Sequence, residues 1–151
     1  MLILAGVTQK ERESEILGAN NEWLPMESVP GVKPEEWLWA LFSFSTINLN
    51  DKVYVFGGAS DIWILPDCYV FDGVWSTTTS LMVPRGNHRS ISKDGLIYHI
   101  GGDGNGGSSN PIETWKLEDD DTFTLTLSTT SLDGYYRFPE SFFVSDYLKC
   151  T

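Results

Sequence analysis

Histidine, cysteine and positive charge are all scarce in this chain: two His, two Cys and ten Lys plus Arg, against 21 Asp plus Glu, in 151 residues. Cys68 and Cys150 form no CxxC pair and have no Cys/His spacing around them. That excludes a disulfide framework and a tetrahedral zinc site, and it points to a reducing compartment, the cytoplasm. His88 and His99 alone cannot assemble a multi-histidine metal centre. The net charge of −11 repels phosphate backbones and anionic lipid, so nucleic acid and membrane surfaces are poor partners. No apolar run approaches the about 20 residues of a membrane-spanning helix. Residues 1–7 lack the charged leader and long apolar stretch of a signal peptide, and no Asn-x-Ser/Thr sequon occurs. Helical periodicity is almost absent as well. What the chain does have is 41% apolar and 13% aromatic residues, enough for a packed core.

Those residues are arranged in repeats. Lys-Val-Tyr-Val-Phe-Gly-Gly at 52–58 returns 44 residues later as Leu-Ile-Tyr-His-Ile-Gly-Gly at 96–102. A shortened version, Leu-Ile-Leu-Ala-Gly, stands at 2–6, and Trp23 follows Gly6 by 17 residues just as Trp75 follows Gly58. A β-rich unit of about 40 to 50 residues that cannot bury its faces alone is the mark of a propeller blade. Each unit divides into four extended stretches, a to d. In the second unit these are 41–47, 52–58, 68–71 and 74–79, with Asn48 to Asp51 turning a into b and Asp72-Gly73 turning c into d. In the third they are 89–92, 96–102, 112–117 and 122–128, with turns at 93–95 and 118–121. Spacing places Trp115 at the Tyr69 position after a loop two residues longer, and Phe123 at the Trp75 position. The first unit starts at strand b, with Leu17 where Tyr69 stands, and carries a Pro- and charge-rich insertion at 30–36. Residues 140–146 read as strand a of a further unit.

A hydrophobic run closed by Gly-Gly, then an aromatic and a Trp six residues on, resembles the kelch motif. Val53 to Gly58 with Tyr69 and Trp75 matches it fully, and nearly the whole chain is covered. The departures are Ala5-Gly6 and Leu17 in the first repeat and Trp115 with Phe123 in the third. The resemblance implies an all-β fold of kelch-type propeller blades, each a four-stranded antiparallel sheet. The expected blades are 1–28 (strands b to d), 40–80 and 88–129, with the start of a fourth at 139–151. About three blades fall short of the four to eight of a closed ring. The expectation is therefore a partial propeller from a longer kelch protein, with self-association through open blade edges as the alternative. Gly6, Trp23, Gly57, Gly58, Tyr69, Trp75, Gly101, Gly102, Trp115 and Phe123 are framework residues. Strand b, buried on both faces, reads as a continuous apolar run, and its glycine pair leaves room for neighbouring backbone and rings.

Kelch-like propellers usually bind protein or peptide partners through the loops joining b to c and d to the next a, so these are the expected sites. No cofactor is expected. Asp61 and Trp63 lie in the first b–c loop, and Asp103 and Asn105 in the second. Arg85, Asn87, His88 and Arg89 lie in the d–a connection. That connection gathers two guanidinium groups and an imidazole in an acidic chain, suited either to an anionic partner or to local carboxylates. Trp63, flanked by Ile62, Ile64 and Leu65, is either an exposed anchor or a packing residue. Residues 101–107 resemble the start of a calcium loop but lack its sixth-position Gly, and position 12 is Thr114, so no metal is expected. Some kelch-like propellers are enzymes of the galactose-oxidase or sialic-acid-isomerase kind. No nucleophile–base pattern is present here, and a non-catalytic interaction module is the expectation, with part of such an enzyme as the alternative.

Overall fold

The fold is described from a computed structural model, whose described residues are 3–5, 14–17, 22–25, 43–60, 63–104, 110–118 and 122–131. They form eleven strands in three antiparallel sheets. The first sheet is a meander of β1 (Ile3–Ala5), β2 (Ser14–Leu17) and β3 (Trp23–Pro25). The second contains β4 (Ser45–Leu49), β5 (Lys52–Phe56), β6 (Cys68–Phe71) and β7 (Trp75–Thr77) in that order. The third repeats the plan with β8 (Arg89–Lys93), β9 (Leu96–Ile100), β10 (Pro111–Leu117) and β11 (Phe123–Ser131). Every neighbour in sequence is a neighbour in space, which is the architecture of propeller blades. No helix among the described residues is long and apolar enough to cross a membrane. Gly6, the insertion at 30–36 and the start of a fourth blade lie outside the described residues.

Local chemistry sets the hairpins. Leu49 pairs with Lys52 and Lys93 with Leu96, leaving two-residue turns, Asn50-Asp51 and Asp94-Gly95, whose φ angles are all positive (51°, 60°, 52° and 76°). Asn, Asp and Gly tolerate that region, and such turns match the twist of the strands they join. Strand a of the second blade therefore runs to Leu49, two residues beyond the expected end, because Asn48 can face solvent on an alternating strand while Ile47 is buried. β5 ends at Phe56 rather than at Gly58, since Gly57 and Gly58 take φ of 57° and 112° and leave the ladder.

The core lies between the second and third blades. Ile47, Tyr54, Phe56 and Cys68 from one sheet meet Ile97, Trp115 and Phe123 from the other, with Leu81 of the connecting segment between them. Phe56 and Trp115 meet edge to face at 5.3 Å, and Trp115 and Phe123 are 4.9 Å apart. Burial of Cys68 pushes its thiol pKa up to about 12. A second cluster, Val55 and Tyr69 with Phe44 and Trp75, lies on the opposite face of the second blade.

The ladders correct two equivalences, Trp115 with Tyr69 and Phe123 with Trp75. Tyr69 stands opposite Val55, whereas opposite His99, the matching position of β9, stands Glu113 and not Trp115. Trp115 pairs with Ile97 as Phe71 pairs with Val53, and Leu125 sits across from Trp115 as Trp75 does from Phe71. Glu113 lies 11 residues beyond Gly102, just as Tyr69 lies 11 beyond Gly58, so the inferred two-residue extension of the second b–c loop is absent. Aromatic identity suggested the wrong rung, because the framework aromatic of the second blade is Phe71.

Candidate functional site

The b–c loop of the second blade is a continuation of its hairpin. Gly57 N–H donates to Asp67 O (3.0 Å), Leu65 N–H to Gly58 O (2.9 Å) and Ser60 N–H to Trp63 O (2.8 Å), with Ala59 bridged to Ile64. Ser60 Oγ accepts from Trp63 N–H at 3.1 Å and closes the tip. The result is a narrow, hydrogen-bonded finger that carries Trp63 at its end with 63% of its surface exposed. Among the described residues Trp63 is exposed rather than packed on a neighbouring blade. Asp61 and Asn105 lie outside the described residues.

The d–a connection, residues 78–88, runs beneath this finger. Leu81 N–H donates to Pro66 O (2.8 Å) and Gly58 N–H to Arg85 O (2.9 Å), while Gly86 and Asp103 exchange two bonds (3.0 and 2.7 Å). This crossing explains the repeated Gly-Gly. A Cβ on Gly57 would lie 2.5 Å from Arg85 O, and one on Gly102 would lie 2.5 Å from Gly86 O and 2.6 Å from His88 Cβ.

The basic cluster expected in this connection is divided by burial. Arg85 is fully buried and offers nothing to a partner: Nη1 donates to the carbonyls of His99 and Gly101 (3.3 Å each), Nη2 to Pro111 O (3.0 Å) and Nε to Val83 O (3.4 Å). Its ion partner, 3.5 Å away, is the equally buried Glu113. Burial lowers the guanidinium pKa and the Glu113 carboxylate opposes that shift. Glu113 in turn accepts from Met82 N–H (2.8 Å), Val83 N–H (3.3 Å) and Trp115 Nε1 (2.7 Å). It fastens the connection to β10. Sequence reasoning missed this residue, although a lone carboxylate two residues from Trp115, on the same face of the strand, was its signal.

His88 and His99 are buried too, with ring centroids 5.9 Å apart. Burial, with Arg85 adding to it, lowers the His88 pKa to about 3; burial, His88 and Arg85 hold His99 well below its ordinary value. His99 Nδ1 lies 2.8 Å from Ser90 Oγ. Asp103 is buried and accepts from Asn87 Nδ2 at 2.7 Å, while Asn87, half-buried with φ of 55°, ties its own N–H to Ser43 O (2.8 Å). Arg89 is exposed at the start of β8. Of the expected contact residues, then, Trp63 and Arg89 lie on the surface, and Arg85, His88 and Asp103 belong to the blade joint. Among the described residues no three His, Cys, Asp or Glu side chains converge as metal ligands.

No known family profile matches the chain. It is similar to human Kelch-like protein 30, 34% identical over 68 residues that make up 40% of this chain and 12% of that protein. The mouse Kelch-like protein 30 is 30% identical over 88 residues, 54% of this chain and 14% of the relative. The chain thus spans a small part of the curated relatives it matches. Among solved structures, YjhT aligns with a TM-score of 0.58 at 15% identity, covering 76% of this chain and 37% of that one. Blade topology and this likeness define an all-β propeller-type chain. The Gly-Gly repeats and the likeness to the Kelch-like relatives support kelch-type repeats in this chain.

Proposed function

We propose that this chain is a non-catalytic, cytoplasmic interaction module that binds a protein or peptide through its b–c and d–a loops. The observation that carries the reading is Trp63, a large apolar ring held in water at the tip of a hydrogen-bonded finger. A rigid exposed Trp loses little side-chain entropy on binding, and residues of this kind dominate interface energetics. Arg89, exposed at the same end of the blades, supplies a cation that can pair with a carboxylate of the partner. Asp61 and Asn105 complete the proposed contact set by their places in the two b–c loops. The two histidines are enclosed in the blade joint, out of reach of a substrate, and offer no accessible general base.

The test is selection of peptides from a displayed random library against the 151-residue chain, followed by titration of the selected peptides with Trp63→Ala. The expected result is a weakening of about thirtyfold, on the order of 2 kcal/mol, with unfolding stability unchanged. Affinities that survive both Trp63→Ala and Arg89→Glu would overturn the assignment of this surface.

A further inference from the structure

His88 and His99 form the buried pair that the proposed binding surface does not use. Among the described residues, neither ring nitrogen of His88 nor Nε2 of His99 has a hydrogen-bond partner. Both rings are more than nine-tenths buried. They sit where the two blades and the crossing segment meet. His88 Cε1 lies 3.3 Å from where a Cβ of Gly57 would stand, and His99 packs on Phe56 (4.6 Å) and Trp115 (5.2 Å). The charged and titratable groups around the pair are Arg85 on the crossing segment, Glu113 on β10 and Asp103 just past β9. β5 offers Phe56, with Gly57 just past its end, β6 the buried Cys68 thiol, and β8 the Ser90 hydroxyl. Both carboxylates are already engaged, Glu113 by Arg85, Trp115 and two backbone amides, and Asp103 by Asn87.

We propose that this joint is a two-proton switch: the closed packing admits only neutral His88 and His99, and mild acidification opens the second blade from the third and frees the connecting segment. A proton added to either ring would stand beside the Arg85 guanidinium; charged His88 would have no acceptor for either N–H, and charged His99 none for its Nε2–H. The sign follows from linkage. Each imidazole binds its proton at an ordinary pKa of about 6.5 once exposed and at a lower one when closed, so the closed state loses ground as pH falls below about 6.5. Two such groups shift the opening equilibrium by about 600-fold between pH 7 and pH 5, and one by about 25-fold. The freed segment is the one that supports the Trp63 finger through Leu81 and Pro66.

Hydrogen exchange of the full chain tests this at the amides that bridge the joint, Gly58, Gly86 and Asn87. Each rate is taken relative to the free-chain rate at the same pH. Protection should fall about 600-fold from pH 7 to pH 5 in the wild type and about 25-fold in His88→Gln or His99→Gln; the double variant should show a flat profile. A flat wild-type profile, or a full fall in the double variant, overturns the switch. Should the variants fail to fold, the wild-type imidazole Cε1–H resonances decide. Neutral-form shifts in the closed state down to pH 5 support the proposal, and ordinary titration near pH 6.5 refutes it.

Discussion

Glu113→Gln is the sharpest perturbation of this fold, because the two carboxylate oxygens have different duties. Oε1 takes the two short bonds, from Met82 N–H at 2.8 Å and Trp115 Nε1 at 2.7 Å. Oε2 faces Val83 N–H at 3.3 Å and Arg85 Nη2 at 3.5 Å. A glutamine that keeps its carbonyl at the first position preserves the short bonds but aims its NH2 at two donors. Flipping the amide rescues the second pair and sacrifices the first. Neither rotamer satisfies the site, and the buried guanidinium loses its counter-charge in both. Such a loss costs about 3 to 5 kcal/mol when one partner of a buried pair is removed outright. The retained carbonyl reduces that to about 2 to 3 kcal/mol. Arg85→Met leaves the carboxylate its three N–H donors and frees four carbonyls, for a similar loss.

Because the two residues act as one unit, the double variant Arg85→Met/Glu113→Gln should cost about 3 kcal/mol, well under the sum of the singles. The coupling energy from the cycle is then about 2 kcal/mol. Denaturant unfolding followed by tryptophan fluorescence measures all four proteins, and equal slopes verify that the unfolded reference is shared. A Glu113→Gln cost below about 0.5 kcal/mol, or additivity within that margin, refutes the clamp reasoning.

Two further outcomes follow from burial and backbone geometry. In a Cys150→Ser background, Cys68 should resist an aromatic disulfide reagent at pH 8 for as long as the chain is folded, because its thiol is buried and its pKa is pushed up to about 12; rapid labelling without denaturant would contradict that environment. Gly57→Ala should destabilise by about 2 kcal/mol or more, since its Cβ meets Arg85 O at 2.5 Å as well as adopting a φ of 57°. Gly95→Ala, with a φ of 76° but open space around it, should cost only about 1 kcal/mol, and equal losses at the two sites would show that conformation alone, not the crossing segment, demands the glycine.

The blades were legible in the sequence wherever a single strand's own chemistry decides its place. The apolar runs at 52–56 and 96–100 and the Asp-Gly turns needed no knowledge of distant residues. What could not be read was the destination of polar groups. Arg85 looks like a surface cation, because nothing local reveals the carbonyls of His99, Gly101 and Pro111 waiting for it. Glu113 looks like an ordinary strand residue, and its role depends on a segment 30 residues earlier. The Trp115 assignment failed for a related reason. Side-chain type was used to align the blades, whereas the ladder registers backbone, and in the second blade the matching aromatic was Phe71. Trp63 was ambiguous until the Ser60 bonds were seen to hold it in solvent.

The division of labour within one short segment separates the side chains that hold the blades together from those that face solvent. Residues 81–88 give Leu81 to the core, Arg85 to Glu113 and His88 to the pocket beside Gly57 and Gly102. Its carbonyls and amides are spent on Gly58, Pro66, Asp103 and Ser43. With the segment fixed from inside, the adjoining finger keeps its shape through backbone bonds and Ser60, and the exposed Trp63 side chain is not what closes its tip. A residue relieved of packing can be exchanged without unfolding the blade, whereas a change at Gly57, Arg85 or Glu113 reaches the core. Variation among such blades should therefore concentrate at finger tips, where altering one side chain leaves the joint intact.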